Sequence, residues 1–78
     1  MTDDERAILV FEETHPKNDR RKEAAVRTEL GLSWVRYQQR VLGLISREDV
    51  LAEFAPVAHR VRRVTSERVA LRSARRFA

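Results

Sequence analysis

Apolar residues recur every three or four positions through most of this 78-residue chain, which is the spacing that lines one face of an α-helix. Thr2 and Glu5 form a capping box, so a first helix should begin there and run to about Glu13. His15-Pro16 predicts its end, because proline cannot continue a helix and disfavours helical backbone in the residue before it. The pattern therefore predicts an all-α fold.

The most informative stretch reads as a helix, a three-residue turn and a second helix. Gly31 can adopt the left-handed backbone that ends a helix, and Ser33 follows as an N-cap. One helix should therefore run from about Arg20 to Leu30, and the next should begin near Trp34. The residues expected to pack these helices together are Val26, Leu30, Leu32, Tyr37, Val41 and Leu44. This arrangement is typical of a helix-turn-helix, whose second helix lies in the DNA major groove.

A helical wheel divides this second helix into two faces. The inward side carries the apolar residues Trp34, Tyr37, Val41, Leu44 and Ile45. The outward side carries arginine and glutamine, whose forked polar groups suit the edges of guanine and adenine. The candidate base-reading residues are Ser33, Val35, Arg36, Gln39 and Arg40. An ordinary core helix with a solvated polar face has the same periodicity, and that alternative stays open.

Two more helices are predicted after this region. Ser46 with Asp49 offers a helix start, followed by a short apolar patch at helical spacing. Pro56 favours a break and a fresh start, because proline is well tolerated in a first helical turn. Neither glycine nor proline intervenes from Val57 to about Arg76, so one long helix is expected. Its first half should pack on the core or on a second subunit, and its second half should project.

Charge is distributed unevenly along the chain. Residues 1–30 hold six Lys/Arg against eight Asp/Glu, whereas residues 56–78 hold seven Arg against one Glu. Such a basic tail is expected of a surface that neutralises phosphates, although a solubilising helix face is an alternative. The candidate phosphate-binding residues are Arg20, Arg21, Lys22, Arg72, Arg75 and Arg76. We therefore expect a helix-turn-helix core over residues 1–55 and a basic C-terminal helix over residues 56–78, within one domain.

Length and composition limit the other function classes. The chain is long enough for one small domain, and domains of this size often gain stability by dimerising, so a homodimer is an open alternative. It has no cysteine and only two histidines, His15 and His59. No apolar run approaches the roughly 20 residues of a membrane span, so a cytoplasmic protein without a membrane partner is expected. Without a metal-ligand set, a catalytic triad or a glycine-rich phosphate loop, we expect no metal, cofactor or enzymatic activity.

Several segments spread along the chain together resemble a known family. These segments are Glu5–Glu12, Lys22–Val26, Gly31–Ser33, Val35–Tyr37 and Arg60–Arg63. They are similar to an uncharacterised helix-turn-helix family of actinobacteria and their phages. The resemblance implies a small DNA-binding fold and an actinobacterial or bacteriophage source, but little about biological role. The chain departs from the family at His15-Pro16, where paired aromatics are usual, and at Gln38 and Arg40, where a tyrosine and an apolar residue are usual.

Together these features predict a sequence-preferring protein that binds double-stranded DNA, as a transcriptional regulator or phage control protein, with residues 33–45 in the major groove. Two alternatives stay open. A non-enzymatic adaptor would bind a host or transcription-machinery protein, and the apolar Trp34, Val35 and Leu42 favour that interpretation. An architectural, excisionase-like protein would bend DNA instead.

Overall fold

A computed structural model of the protein describes the backbone of residues 1–77 and the side chains of residues 1–74. The helices are α1 (Asp3–Thr14), α2 (Arg20–Ala25), which continues as a π-helical segment (Val26–Leu30), α3 (Trp34–Leu44), α4 (Glu48–Glu53) and α5 (Ala55–Phe77). No strand occurs within the described residues. The all-α prediction is confirmed, and the predicted order of the helices matches the observed one.

The capping box starts α1 where the sequence predicts it. The Thr2 hydroxyl accepts a hydrogen bond from the Glu5 N–H at 3.1 Å, and the Glu5 carboxylate accepts one from the Thr2 N–H at 2.8 Å. After the helix ends, the His15 ring stacks on Phe11 with 4.0 Å between ring centroids. His15 is therefore a half-buried residue at the rim of the core.

The ends of α2 and α3, and the three residues that join the π-helical segment to α3, follow the predicted capping chemistry. The Asp19 carboxylate caps the start of α2. Gly31 takes a left-handed backbone with φ 66°, which glycine adopts without steric cost. The Ser33 hydroxyl accepts a hydrogen bond from the Arg36 N–H at 3.2 Å. The boundaries of this helix, turn and helix are thus fixed by local interactions.

The last turn before Gly31 is wider than predicted. Residues Val26–Leu30 form a π-helical segment where a continuing α-helix was expected. The Thr28 hydroxyl donates to the carbonyl of Ala24 at 3.1 Å and to that of Ala25 at 3.4 Å. It therefore competes for acceptors that the regular helix uses, an effect known to bend helices.

The predicted start of α4 is wrong by one residue. The Ser46 hydroxyl donates to the Gly43 carbonyl at 3.0 Å and accepts no hydrogen bond from the backbone of α4. Arg47 occupies the N-cap position instead, without a side-chain capping bond. The break before α5 falls at Phe54, and Pro56 lies in the first turn of α5 as predicted.

One apolar core joins the helices. Its buried members are Ile8, Leu9, Phe11, Val26, Tyr37, Val41, Leu44, Ile45, Val50, Phe54, Val57 and Ala58. Leu30, Leu32 and Trp34 are half-buried against this core, so the predicted inward face of α3 is confirmed. Residues of α5 pack on the core as far as about Thr65, whereas the side chains of residues 66–74 are all exposed. The second half of α5 therefore projects, as expected.

Candidate nucleic-acid interface

The outward face of α3 is open to solvent. Val35, Arg36, Gln39 and Arg40 are all exposed, and the last three make no side-chain hydrogen bond or ion pair with another described residue. Ser33 is exposed at the start of this face, and its hydroxyl can still donate while it accepts the capping bond. The chain has no acidic residue from position 30 to position 47. The predicted base-reading residues thus share one positively charged, accessible surface.

The arginines fall into two groups with different surroundings. Some hold helices together: Arg6 pairs with Glu53 and Arg47 pairs with Glu5, each with an N–O distance of 2.5 Å. Others make no side-chain hydrogen bond or ion pair with a described residue, and they are Arg20, Arg21, Arg27, Arg36, Arg40, Arg63, Arg68 and Arg72. These lie on α2, the π-helical segment, α3 and α5. Their guanidinium groups are available to an anionic ligand.

The predicted phosphate-binding residues do not share one environment. Three of them are exposed: Arg20, Arg21 and Arg72. The side chains of Arg75 and Arg76 lie outside the described residues. The prediction for Lys22 is wrong, because its side chain is only 1 % exposed and its ammonium lies in the protein interior.

Lys22 belongs to a buried polar cluster formed with Glu12, Asn18, Tyr37 and Arg60. The Lys22 Nζ lies 2.7 Å from Glu12 Oε2 and donates to Asn18 Oδ1 at 2.8 Å. The Tyr37 hydroxyl donates to the same Glu12 oxygen, and Arg60 Nη2 lies 3.5 Å from the other. Turning Lys22 outward would leave the Glu12 carboxylate buried without its closest counter-charge, which is why it does not face a phosphate.

Tyr37 anchors α3 to this polar cluster. Burial, together with its hydrogen bond to Glu12, raises the pKa of Tyr37 well above its usual value. Its ring lies edge-on to Phe11 and stacks with Trp34, at centroid distances of 5.7 and 5.6 Å. The Lys22 Nζ lies 5.8 Å from the centroids of both the Trp34 and Tyr37 rings. These contacts fix the first turns of α3 relative to α1 and α2, and so position its outward face.

The polar cluster was not predicted, although the sequence carries a signal for it. Glu12 lies four residues after Ile8, and Lys22 lies four residues before Val26. Each charged residue therefore shares a helix face with a core residue. Opposite charges on two apolar helix faces indicate a buried pair, because neither charge is stable there alone. This signal was missed because Lys22 directly follows Arg20 and Arg21, and the three residues together resemble one exposed basic segment.

A family model described as "Protein of unknown function (DUF3263)" matches residues 1–73 of the chain. The chain belongs to the DUF3263 family. Membership of an uncharacterised family is thus confirmed, while the helix-turn-helix character and the source of the protein stay predictions. No curated protein and no solved structure matches the chain.

Two further findings concern ligand classes. Within the described residues of this DUF3263 protein, no helix combines the length and the apolar character needed to cross a membrane. The same residues hold no group of three or more histidine, aspartate or glutamate side chains placed to bind a metal ion.

Proposed function

We propose that this DUF3263 protein binds duplex DNA with a preference for particular sequences, through the outward face of α3. The observation that carries the proposal is the exposed set of Arg36, Gln39 and Arg40, which have no polar partners among the described residues. Arginine can donate two hydrogen bonds to guanine, and glutamine can bond adenine through both groups of its amide. Ser33 and Val35 complete the set, since the first turns of a recognition helix lie closest to the base edges.

The unpaired arginines outside α3 suit contacts to the DNA backbone. Arg20 and Arg21 are exposed at the start of α2, and Arg72 is exposed on the second half of α5. The 23 residues of α5 span about 35 Å, which allows contacts well outside one stretch of major groove. Arg75 and Arg76 extend the same basic sequence. In this proposal the protein is a helix-turn-helix regulator of transcription, or a phage control protein, without enzymatic activity.

The two kinds of contact are separable by mutation. Arg36→Ala or Gln39→Ala should each weaken binding to the preferred sequence by about 1–3 kcal/mol and relax the preference at one base position. Arg21→Ala should weaken binding to all sequences equally. It should also reduce the magnitude of the slope of log binding constant against log salt concentration by about 1. Anisotropy titrations of preferred and altered duplexes over a series of salt concentrations measure both effects.

Arg6→Ala is the control for this series, because Arg6 is paired with Glu53 and is not part of the proposed surface. Its DNA binding should equal that of the unchanged protein. Equal losses on every duplex from the α3 and α2 variants would remove the claim of base reading.

A second candidate function is that of an adaptor that binds a protein through α3. The observation that favours it is the exposure of two apolar side chains on this helix, 63 % for Val35 and 45 % for Leu42. An adaptor would show no affinity for DNA in the same titrations, whereas its binding to a protein partner, measured separately, would persist at high salt.

A further inference from the structure

A groove of about 180 Å³ lies between α3 and α5. Its apolar lining comes from Trp34, Val41, Leu42, Val61, Val64 and Val69. Leu42 and Val69 are 45 % and 56 % exposed, so the groove offers an accessible apolar surface rather than a closed cavity. The groove lies beside the proposed base-reading face of α3, because its lining includes Trp34 and Leu42 but none of the proposed base-reading residues.

The rim of this groove is positively charged. Arg60, Arg68 and Arg72 line it, and Glu12 is the only acidic residue among the described residues of its lining. The Glu12 carboxylate is already paired with Lys22 and bonded by Tyr37. Arg68 and Arg72 lie one helical turn apart and make no side-chain hydrogen bond or ion pair with another described residue. An incoming ligand therefore meets an apolar floor beside two unneutralised guanidinium groups.

The size and lining of the groove limit what can occupy it. Small-molecule pockets usually enclose about 300–1,000 Å³, whereas this volume suits a few apolar side chains. The wall of α5 from Val61 to Arg72 rises about 16 Å, or about three helical turns. Nucleic acid is disfavoured as the occupant, because an apolar floor cannot replace the water around phosphates. A short amphipathic helix matches the length, the apolar floor and the charged rim together.

We propose that this groove binds an acidic amphipathic helix of a partner protein. Apolar side chains of that helix, spaced at i, i+4 and i+7, contact Trp34, Leu42 and Val69. Carboxylates beside its apolar face pair with Arg68 and Arg72, and this charge complementarity selects an acidic helix over a basic one. The inference goes beyond DNA binding and does not depend on it, although Arg72 is a residue that both proposed ligands would contact.

Trp34 gives a direct readout, since it is the only tryptophan of the chain and lines the groove. The probe is a stapled helical peptide of about 16 residues, a length at which unstapled helices are marginal in water. It carries leucines at i, i+4, i+7 and i+11 and glutamates elsewhere. Titrating it into the full chain without DNA should give a saturable change in Trp34 emission. A stapled peptide of the same composition, with its leucines spread around the helix, should give none.

Two exposed apolar residues provide a matched pair of variants. Leu42→Glu should weaken binding of the acidic peptide about tenfold or more, because it removes an apolar contact and adds a repelling carboxylate. Val10→Glu makes the same kind of change at a residue that is 44 % exposed on α1 and does not line the groove. The Val10→Glu variant should bind the acidic peptide with the same affinity as the unchanged protein. Circular dichroism should show both variants folded, since both positions are at the surface.

A charge exchange tests the rim. Arg68→Glu should weaken binding of the acidic peptide and strengthen binding of its counterpart with lysine in place of glutamate. Absence of a saturable signal, or equal binding by the Leu42→Glu variant, would overturn the proposal. A Trp34 signal that appears on concentrating the protein alone, and that Leu42→Glu abolishes, would assign the groove to a second copy of the chain and also overturn it. None of these outcomes bears on DNA binding, which is measured without the peptide.

Discussion

The two glycines of the chain lie in different backbone environments. Gly31 has φ +66°, a conformation that strains any residue with a side chain, whereas Gly43 lies in α3 with open space where a Cβ would be. Gly31→Ala should therefore destabilise the fold by about 1–2 kcal/mol. Gly43→Ala should stabilise it by about 0.5–1 kcal/mol, since alanine loses less backbone freedom on folding. Urea unfolding of both variants checks this, and a shift in the same direction for both would contradict it.

Lys22 shows how burial changes the meaning of a charged residue. Its ammonium and the Glu12 carboxylate are 2.7 Å apart and almost completely buried. Lys22→Met should cost about 3–5 kcal/mol, because it leaves a buried carboxylate without its main counter-charge. The double variant with Glu12→Leu should recover only part of this loss, because it also removes the acceptor of the buried Tyr37 hydroxyl. Denaturant unfolding measures both, with Lys17→Met at an exposed lysine as the control. If Lys22→Met lowered the free energy of unfolding no more than Lys17→Met does, Lys22 would not be required to balance the charge of Glu12.

Tyr37 is the only tyrosine of the chain, so its ionisation can be followed by absorbance. Burial and the hydrogen bond to Glu12 raise its pKa in the folded protein. The neutral hydroxyl therefore stabilises the fold below the usual tyrosine pKa of about 10, and this contribution is lost as the pH rises above that value. Tyrosinate absorbance should appear only together with loss of helical circular dichroism. Ionisation near pH 10 with intact helices would contradict a buried Tyr37.

At the scale of the helices, ion pairs at or near the surface connect α1 to α4 and to its N-cap residue. A backbone hydrogen bond from Thr2 is the first cause that lowers the pKa of Glu5, and Arg47 adds to it. Arg6 lowers the pKa of Glu53. Both carboxylates therefore contribute stability above the usual glutamate pKa of about 4.3, and the contribution is lost as the pH falls through the lower folded values.

The free energy of unfolding of the Glu53→Gln variant should thus fall less between neutral pH and about pH 3 than that of the unchanged protein. Thermal unfolding at several pH values measures this. Glu13→Gln serves as the control, since Glu13 is exposed on α1 and makes no ion pair with a described residue. An acid dependence that Glu53→Gln leaves unchanged would show that the Arg6 pair does not matter for acid stability.

The helices themselves could be predicted where their ends depend on near neighbours in sequence. Thr2 with Glu5, Gly31 and Ser33 fix their boundaries within three residues, so the sequence alone identifies them. The π-helical segment Val26–Leu30 was missed because its residues show the same helical periodicity as a continuing α-helix. The replacement of Ser46 by Arg47 as the N-cap of α4 was missed for a different reason. The Arg47 side chain bonds Glu5 of α1, a contact between distant parts of the chain.

At the scale of the whole molecule, the arginines divide between stability and recognition. Those paired with carboxylates connect α1 to α4 or, in the case of Arg60, to α5. The described arginines that make no side-chain hydrogen bond or ion pair lie on α2, the π-helical segment, α3 and α5. Periodicity predicted which face of α3 is exposed, because exposure follows from the position of the core. The same periodicity places Glu12 and Lys22 on core-facing helix faces, but it does not show which charges pair there or that a groove lies between α3 and α5, because both depend on how distant helices meet.

The central claim is that α3 reads DNA sequence. The measurement that tests it most directly is selection of bound duplexes from a random pool at near-physiological salt, followed by sequencing. We expect an enriched motif that loses its preference at one position when Gln39 is replaced by alanine. A palindromic motif with half-sites one helical turn apart would in addition establish a dimer. Recovery of duplexes without any enriched motif, or of none above background, would contradict the account.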